Sequence, residues 1–168
     1  MSLDNIADLF EEQLKDVYNA ENQLTKALPK MAKKASSPAL KKAFESHLAE
    51  TKVHVERLAD VAKSLDIKPS GKVCKAMKGL IEEGAEVIEE DGEEAVIDPA
   101  LVAAAQRVEH YEISAYGTLA AMAEALGYKS VIKALRQTEK EEYAADKKLT
   151  EISEGELLVG AGASSEEE

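Results

Sequence analysis

Val108-Glu109-His110-Tyr111-Glu112-Ile113 lies inside a helical run whose alternating three- and four-residue spacing reads Leu101, Ala105, Val108, Glu112, Ala115, Leu119, Met122, Leu126. Every member of that stripe is apolar except Glu112, and Glu109 falls on the same side one turn earlier, four residues after Ala105. A carboxylate turned into a core costs several kcal/mol unless it is neutralised, paired or bound to a metal. Two of them one turn apart require a cause elsewhere in the chain.

The other helical seams supply it. The first long helix is expected to start at Ser2 as N-cap, and its seam reads Phe10, Leu14, Val17, Glu21, Leu24, Leu28, Met31, with Glu21 its one charged member. Pro29 lies inside the run and predicts a kink near Thr25. Ser36-Ser37-Pro38 breaks the helix, with Ser37 as the next N-cap and Pro38 at the first helical position. The second helix covers Pro38 to Leu65, and its seam reads Leu40, Phe44, His47, Thr51, His54, Leu58, Val61, Leu65, with Glu50 on the same face.

A third long helix is expected from Asp98 as N-cap, with Pro99 at its first position, to Gly127. A fourth runs from Tyr128 to about Ser153 with the seam Val131, Leu135, Thr138, Glu142, Ala145, Leu149, Ile152. Glu142 is its one carboxylate in a core position, and Asp146 follows one turn later. About thirty residues separate the second long helix from the third, carrying only a short helix over Val73 to Glu90 that Gly79 and Gly84 weaken. Such a connection can cross the length of a bundle instead of making a hairpin. The fold class is therefore all-α, an antiparallel four-helix bundle with a long crossover over residues 1–155, followed by an acidic, loosely ordered tail over residues 156–168. Leu157, Leu158 and Val159 are free to dock somewhere on it.

Heights along the helices can be compared. Glu21 lies about 16 residues before the first turn and Glu50 about 13 after it; Glu109 and Glu112 lie about 18 and 15 before the last turn and Glu142 about 15 after it. At roughly 1.5 Å per residue all of them stand some 20–25 Å from their turns, at one level of the bundle. Five carboxylates with one or two histidines cannot share a dry interior as bare charges. A pair of divalent cations bound by oxygens and imidazole resolves this, as in the di-iron and di-manganese carboxylate bundles. The candidate ligands are Glu21, Glu50, His54, Glu109, Glu112, Glu142 and Asp146. Asp146 is alternatively an outer hydrogen-bond acceptor or a surface acid. His47 is either a ligand or a donor to a ligating carboxylate.

Composition narrows the function classes. Hydrophobic residues make up 45% of the 168, aromatics 4%, and Trp is absent, which suits helices packed through small side chains. A formal net charge of -12 repels nucleic acid and anionic lipid, so neither is expected as a partner. The single cysteine, Cys74, excludes an internal disulfide and a CxxC metal site and reads as a small buried apolar residue. With no apolar run near 18 residues and no signal peptide, a soluble cytoplasmic protein is expected. His110 reads as an exposed or interface histidine, Tyr18 and Tyr116 as core packing or, alternatively, radical quenching or outer hydrogen bonding, and the glutamates of residues 82–94 as a solvated face.

The segments Leu14 to Leu24, His47-Leu48-Ala49-Glu50-Thr51, Gly79-Leu80-Ile81-Glu82-Glu83 and Val108 to Thr118 resemble the YciF-type stress proteins, a ferritin-like family related to rubrerythrins and bacterioferritins. The resemblance covers all but the tail. It implies a ferritin-like four-helix bundle, a homodimer, a dinuclear metal site and a role in stress response. The chain departs from the ferritin-like Glu-x-x-His pattern. Val53 stands three residues after Glu50, with His54 one later, and Ala145 and Asp146 occupy the matching places after Glu142. That makes the site oxygen-rich and favours iron or manganese over copper or zinc. Two functions follow from different classes: a dimetal protein that consumes hydrogen peroxide or oxygen, and a non-enzymatic structural or interaction bundle whose core holds a structural metal or a protonated carboxylate network.

Overall fold

The structure, a computed structural model, describes residues 3–159. Five α-helices follow in order: α1 Ile6–Lys34, α2 Pro38–Ser64, α3 Lys75–Glu89, α4 Glu94–Ala125 and α5 Lys129–Ile152, the last extended by a π-helical turn over Ser153–Leu157. No strand occurs among the described residues. The acidic stretch expected to be solvated is so: Glu82, Glu83, Glu86, Glu89, Glu90, Glu93 and Glu94 are all exposed.

The hydrogen bonds at one end of the bundle establish its directions. Ser37, at the start of α2, donates from its hydroxyl to Glu156 after α5, at 2.6 Å, and from its backbone N–H to Asp98 near the start of α4. The end of α1 and the start of α4 therefore share one end, and α1 packs antiparallel to both α2 and α4. The crossover climbs the length of the bundle, with α3 packed against α1 and α4. Glu156 and the partly buried Leu157, expected in the loose tail, are thus built into that end. Leu158 and Val159 stay exposed, and residues 160–168 of the expected tail lie outside the described residues.

Several boundaries differ from expectation. The N-cap of α1 is Asn5, whose side chain accepts from the Asp8 N–H at 3.0 Å, so the helix starts beyond Ser2, which itself lies outside the described residues. The helix then continues unbroken through Pro29 to Lys34. The α4 helix begins at Glu94, not at Pro99, although Pro99 forfeits a bond to the Ala95 carbonyl. Asp98 does not cap its own helix because it has stronger partners. Its buried carboxylate accepts from the backbone N–H groups of Ser36 at 3.0 Å and Ser37 at 2.6 Å, which ties α4 to the α1–α2 turn. Asp98→Ala should cost about 2 kcal/mol in urea unfolding, because it strips a charged acceptor from two N–H groups. Finally, α4 ends at Ala125, with Gly127 at φ 72° and the Gly127 and Tyr128 N–H groups returning to the Glu124 and Ala123 carbonyls.

The core divides into two apolar clusters. Leu28, Met31, Leu40, Leu101 and Leu149 belong to one end, and Phe10, Leu14, Leu58, Leu119 and Leu135 to the other. Between them runs a layer of buried polar side chains.

Candidate metal centre

That layer contains Glu21 from α1, His47 and His54 from α2, Glu109 and Glu112 from α4 and Glu142 from α5, all buried. Each sits at a seam position, so the same periodicity that builds the core delivers it inward. Their ligand atoms fall into two groups, His47–Glu109–Glu112–Glu142 and Glu21–His54–Glu142, each with its atoms within 4.8 Å of one another. Glu142 is common to both.

Distances within the layer are short. His47 Nε2 lies 3.1 Å from Glu109 Oε1 and 3.9 Å from Glu142 Oε2. His54 Nδ1 lies 2.9 Å from Glu142 Oε1 and 3.5 Å from Glu21 Oε1. Proximity is not hydrogen bonding here. Both oxygens of Glu112 and of Glu142, one each of Glu21 and Glu109, both His47 nitrogens and His54 Nδ1 are buried without a hydrogen-bond partner. Buried polar atoms are ordinarily satisfied, so a cluster of orphans aimed at one another fits the donor set of a cation site. Carboxylate oxygens with imidazole nitrogens are the donors that iron and manganese take.

Electrostatics agree. Burial, with the Glu142, Glu21 and Glu109 carboxylates beside it, holds the Glu112 carboxyl well above the ordinary range. Burial pushes Glu142 up to about 7 against the pull of His54. Burial alone would depress the histidines, but the Glu109 carboxylate raises His47 well above its usual value, and Glu142 with Glu21 raises His54 to about 10. Without metal, protons on these groups do the neutralising that cations would otherwise do.

The outer contacts differ between the two groups. Tyr116, fully buried, donates its hydroxyl to Glu21 Oε1, which resolves the choice between packing and outer bonding for that residue in favour of both. His54 Nε2 lies 3.0 Å from Glu141 Oε2, and Arg57 donates to the same oxygen at 2.6 Å and to the Thr138 hydroxyl. Neither Glu141 nor Arg57 stood out in the sequence, although Arg57 follows His54 by one helical turn and Glu141 adjoins Glu142. His47 has only Glu50 near its outer nitrogen, at 3.8 Å.

Two candidate ligands fall outside the layer. The Glu50 side chain is 55% exposed and reaches only His47, because at 100° per residue it stands roughly 70° from the centre of the α2 seam. Asp146 turns toward α4, where it accepts from Gln106 Nε2 at 3.0 Å and lies 3.4 Å from His110. His110 is exposed, as expected. His47 takes the buried place that Glu50 was expected to share. Tyr18 packs against the apolar cluster that contains Phe10. Cys74 is buried but not merely apolar: its Sγ caps the Met77 N–H of α3 and lies 3.1 Å from the Tyr111 hydroxyl, which donates to Asp16 at 2.6 Å.

No described helix is long and apolar enough to cross a membrane. Residues 5–161 match a family described as "Domain of unknown function (DUF892)". The chain is 49% identical over 154 residues to Protein YciF of Escherichia coli (strain K12), covering 91% of this chain and 93% of that protein. The crystal structure of the E. coli stress protein YciF superposes with a TM-score of 0.88 at 48% identity, covering 90% of this chain and 96% of that one. YcfI from Rhodopseudomonas palustris gives 0.86 at 46% identity, covering 89% and 95%. A protein from Xanthomonas campestris pv. campestris, at 22% identity and 0.71, covering 94% and 96%, shares the fold. A matched family spanning nearly the whole chain, joined to near-half identity with a stress protein of the same ferritin-like bundle, means that the chain belongs to the YciF-type stress protein family, DUF892.

Proposed function

We propose that this protein holds two divalent cations, iron or manganese, in the buried layer between its apolar clusters and uses them to consume hydrogen peroxide. The observation that carries the reading is the convergence of orphaned carboxylate and imidazole atoms on two adjoining points. Glu142 stands where one carboxylate can serve both ions. Glu21 and His54 complete one half-site, and His47, Glu109 and Glu112 the other. Glu50 and Asp146 keep outer roles, Glu50 on His47 and Asp146 on Gln106.

When bound, the ions would supply two-electron redox chemistry, by which one peroxide takes up two electrons and two protons to give two waters and a second, oxidised to dioxygen, returns the two electrons and two protons. The chain's own residues orient, seal and move protons. Tyr116 holds Glu21 in place, and Glu141 holds the His54 ring. A pocket of about 360 Å³ between α2 and α5 reaches His47 and Glu109 and admits a small molecule. Glu50, half in solvent beside His47 Nδ1, is placed to exchange a proton between that imidazole and bulk water. The homodimer implied by the resemblance and the cytoplasmic location expected from the sequence belong to the same proposal.

Protein purified without chelators should carry close to two ions per chain by elemental analysis, and its peroxide turnover should exceed that of free ion at equal concentration by orders of magnitude. Bound metal with no such excess would leave the ions a structural role. That is the non-enzymatic alternative.

A further inference from the structure

The two half-sites share Glu142 but not their surroundings. Around His54 every terminal ligand has a second partner. Glu21 takes the Tyr116 hydroxyl, and the outer nitrogen of His54 meets Glu141, itself gripped by Arg57. His54 is 1% exposed, and the Arg57–Glu141 pair lies over its outer edge. Around His47 the ligands lack such support. Glu112 has no partner on either oxygen, Glu109 none on one, and the outer nitrogen of His47 has only the solvent-exposed Glu50 at 3.8 Å. The pocket between α2 and α5 opens on this half-site alone: His47 and Glu109 line it, whereas Glu21 and His54 do not. Ala144 and Ala145 line it from α5 together with Lys148 and Leu149, and a larger side chain at either alanine would narrow it.

Resting on the metal reading above, we propose that the two ions exchange at different rates: the ion beside His54 is locked in, and the ion beside His47 comes and goes through the pocket between α2 and α5. The distinction concerns rate, not affinity. The His47 half-site holds more carboxylates, and Coulomb attraction alone would strengthen binding there. Release, however, requires a route to water and ligands free to swing, and only the His47 half-site has both. An imidazole whose far nitrogen is bonded to a carboxylate keeps its ring orientation and tautomer, and loss of such a partner weakens metal binding on the order of 10–100-fold. Glu141 is thus a positioning residue for His54. The same port delivers the small oxidant, so the exchangeable ion is also the one that meets it first.

Loss of Mn2+ from the loaded protein into excess chelator, followed by a metal-indicator dye, tests this directly. Two phases of equal amplitude, separated by at least about tenfold in rate, are expected. After the fast phase alone, electron paramagnetic resonance should show the six-line spectrum of an isolated Mn2+. Ala145→Leu should slow the fast phase several-fold and leave the slow one unchanged, and Ala144→Leu, at a more exposed position on the same wall, repeats the test without touching the core. Glu141→Gln should accelerate only the slow phase. A single phase carrying both ions, or equal effects of each variant on both phases, would overturn the proposal while leaving the dimetal reading intact. A protein that binds no Mn2+ at all would overturn both.

Discussion

Glu142→Ala should empty both half-sites at once. Metal content is expected to fall from close to two ions per chain to near zero, whereas Glu112→Leu should remove only the ion beside His47. The difference follows from geometry, since Glu142 lies within ligand distance of both histidines and Glu112 belongs to one group. The two variants should also diverge in stability without metal. Glu112 is fully buried, has no hydrogen-bond partner on either oxygen, and burial with the neighbouring carboxylates holds its carboxyl well above the ordinary range. A leucine of similar volume removes that desolvated carboxyl and orphans nothing, so the metal-free variant should gain about 1–3 kcal/mol in urea unfolding. Glu21→Leu is the control. It also removes a buried carboxyl, but it leaves the buried Tyr116 hydroxyl without its acceptor, so its gain should be smaller or absent. If Glu142→Ala still binds one full equivalent of metal, Glu142 does not bridge.

The second large effect is a reversal of the pH dependence of stability on metal loading. In the metal-free protein Glu142 is raised from 4.5 to about 7 and His54 from 6.5 to about 10. Both shifts mean that the folded state binds protons more tightly than the unfolded one. The stability they contribute is complete below the unfolded values and is lost as pH rises through the folded ones. The Glu142 shift alone is worth on the order of 3 kcal/mol between pH 4.5 and pH 7 and above, or roughly 5–10 °C in melting temperature. Glu50, Glu141 and Asp16 are shifted downward and act in the opposite sense, but only below the ordinary carboxylate range. The chelator-treated protein should therefore melt at its highest temperature near pH 5 and fall steadily toward pH 10. The metal-loaded protein should do the reverse over pH 5 to 8, because ions bind the deprotonated ligands and stabilise only the folded state. Differential scanning calorimetry at several pH values, with and without metal, decides it. A flat metal-free profile would show that the buried acids and histidines are not coupled as described.

Much of this protein is legible in its sequence, because the relevant physics is local. A helix advances by a fixed rise and rotation per residue, so seam positions and turns place Glu21, Glu109, Glu112 and Glu142 at one level before any tertiary contact is known. The Ser37-Pro38 start of α2 is local chemistry as well, and the structure reproduces it. Other features were decided only when helices met. A seam has width, and whether a residue near its edge faces the core depends on which neighbours flank the helix. Glu50 and Asp146 stand at such edges; one turned to solvent and the other toward Gln106 and His110. His47, nearer the centre, went in. Asp98 reads as an N-cap by every local rule, yet its carboxylate serves the backbone of another helix turn, sixty-one positions away at Ser37. The difference in support between the two histidines has the same origin. Glu141 and Tyr116 come from α5 and α4, and the distance of either from His54 or Glu21 is a property of packed helices that no periodicity within one helix can contain.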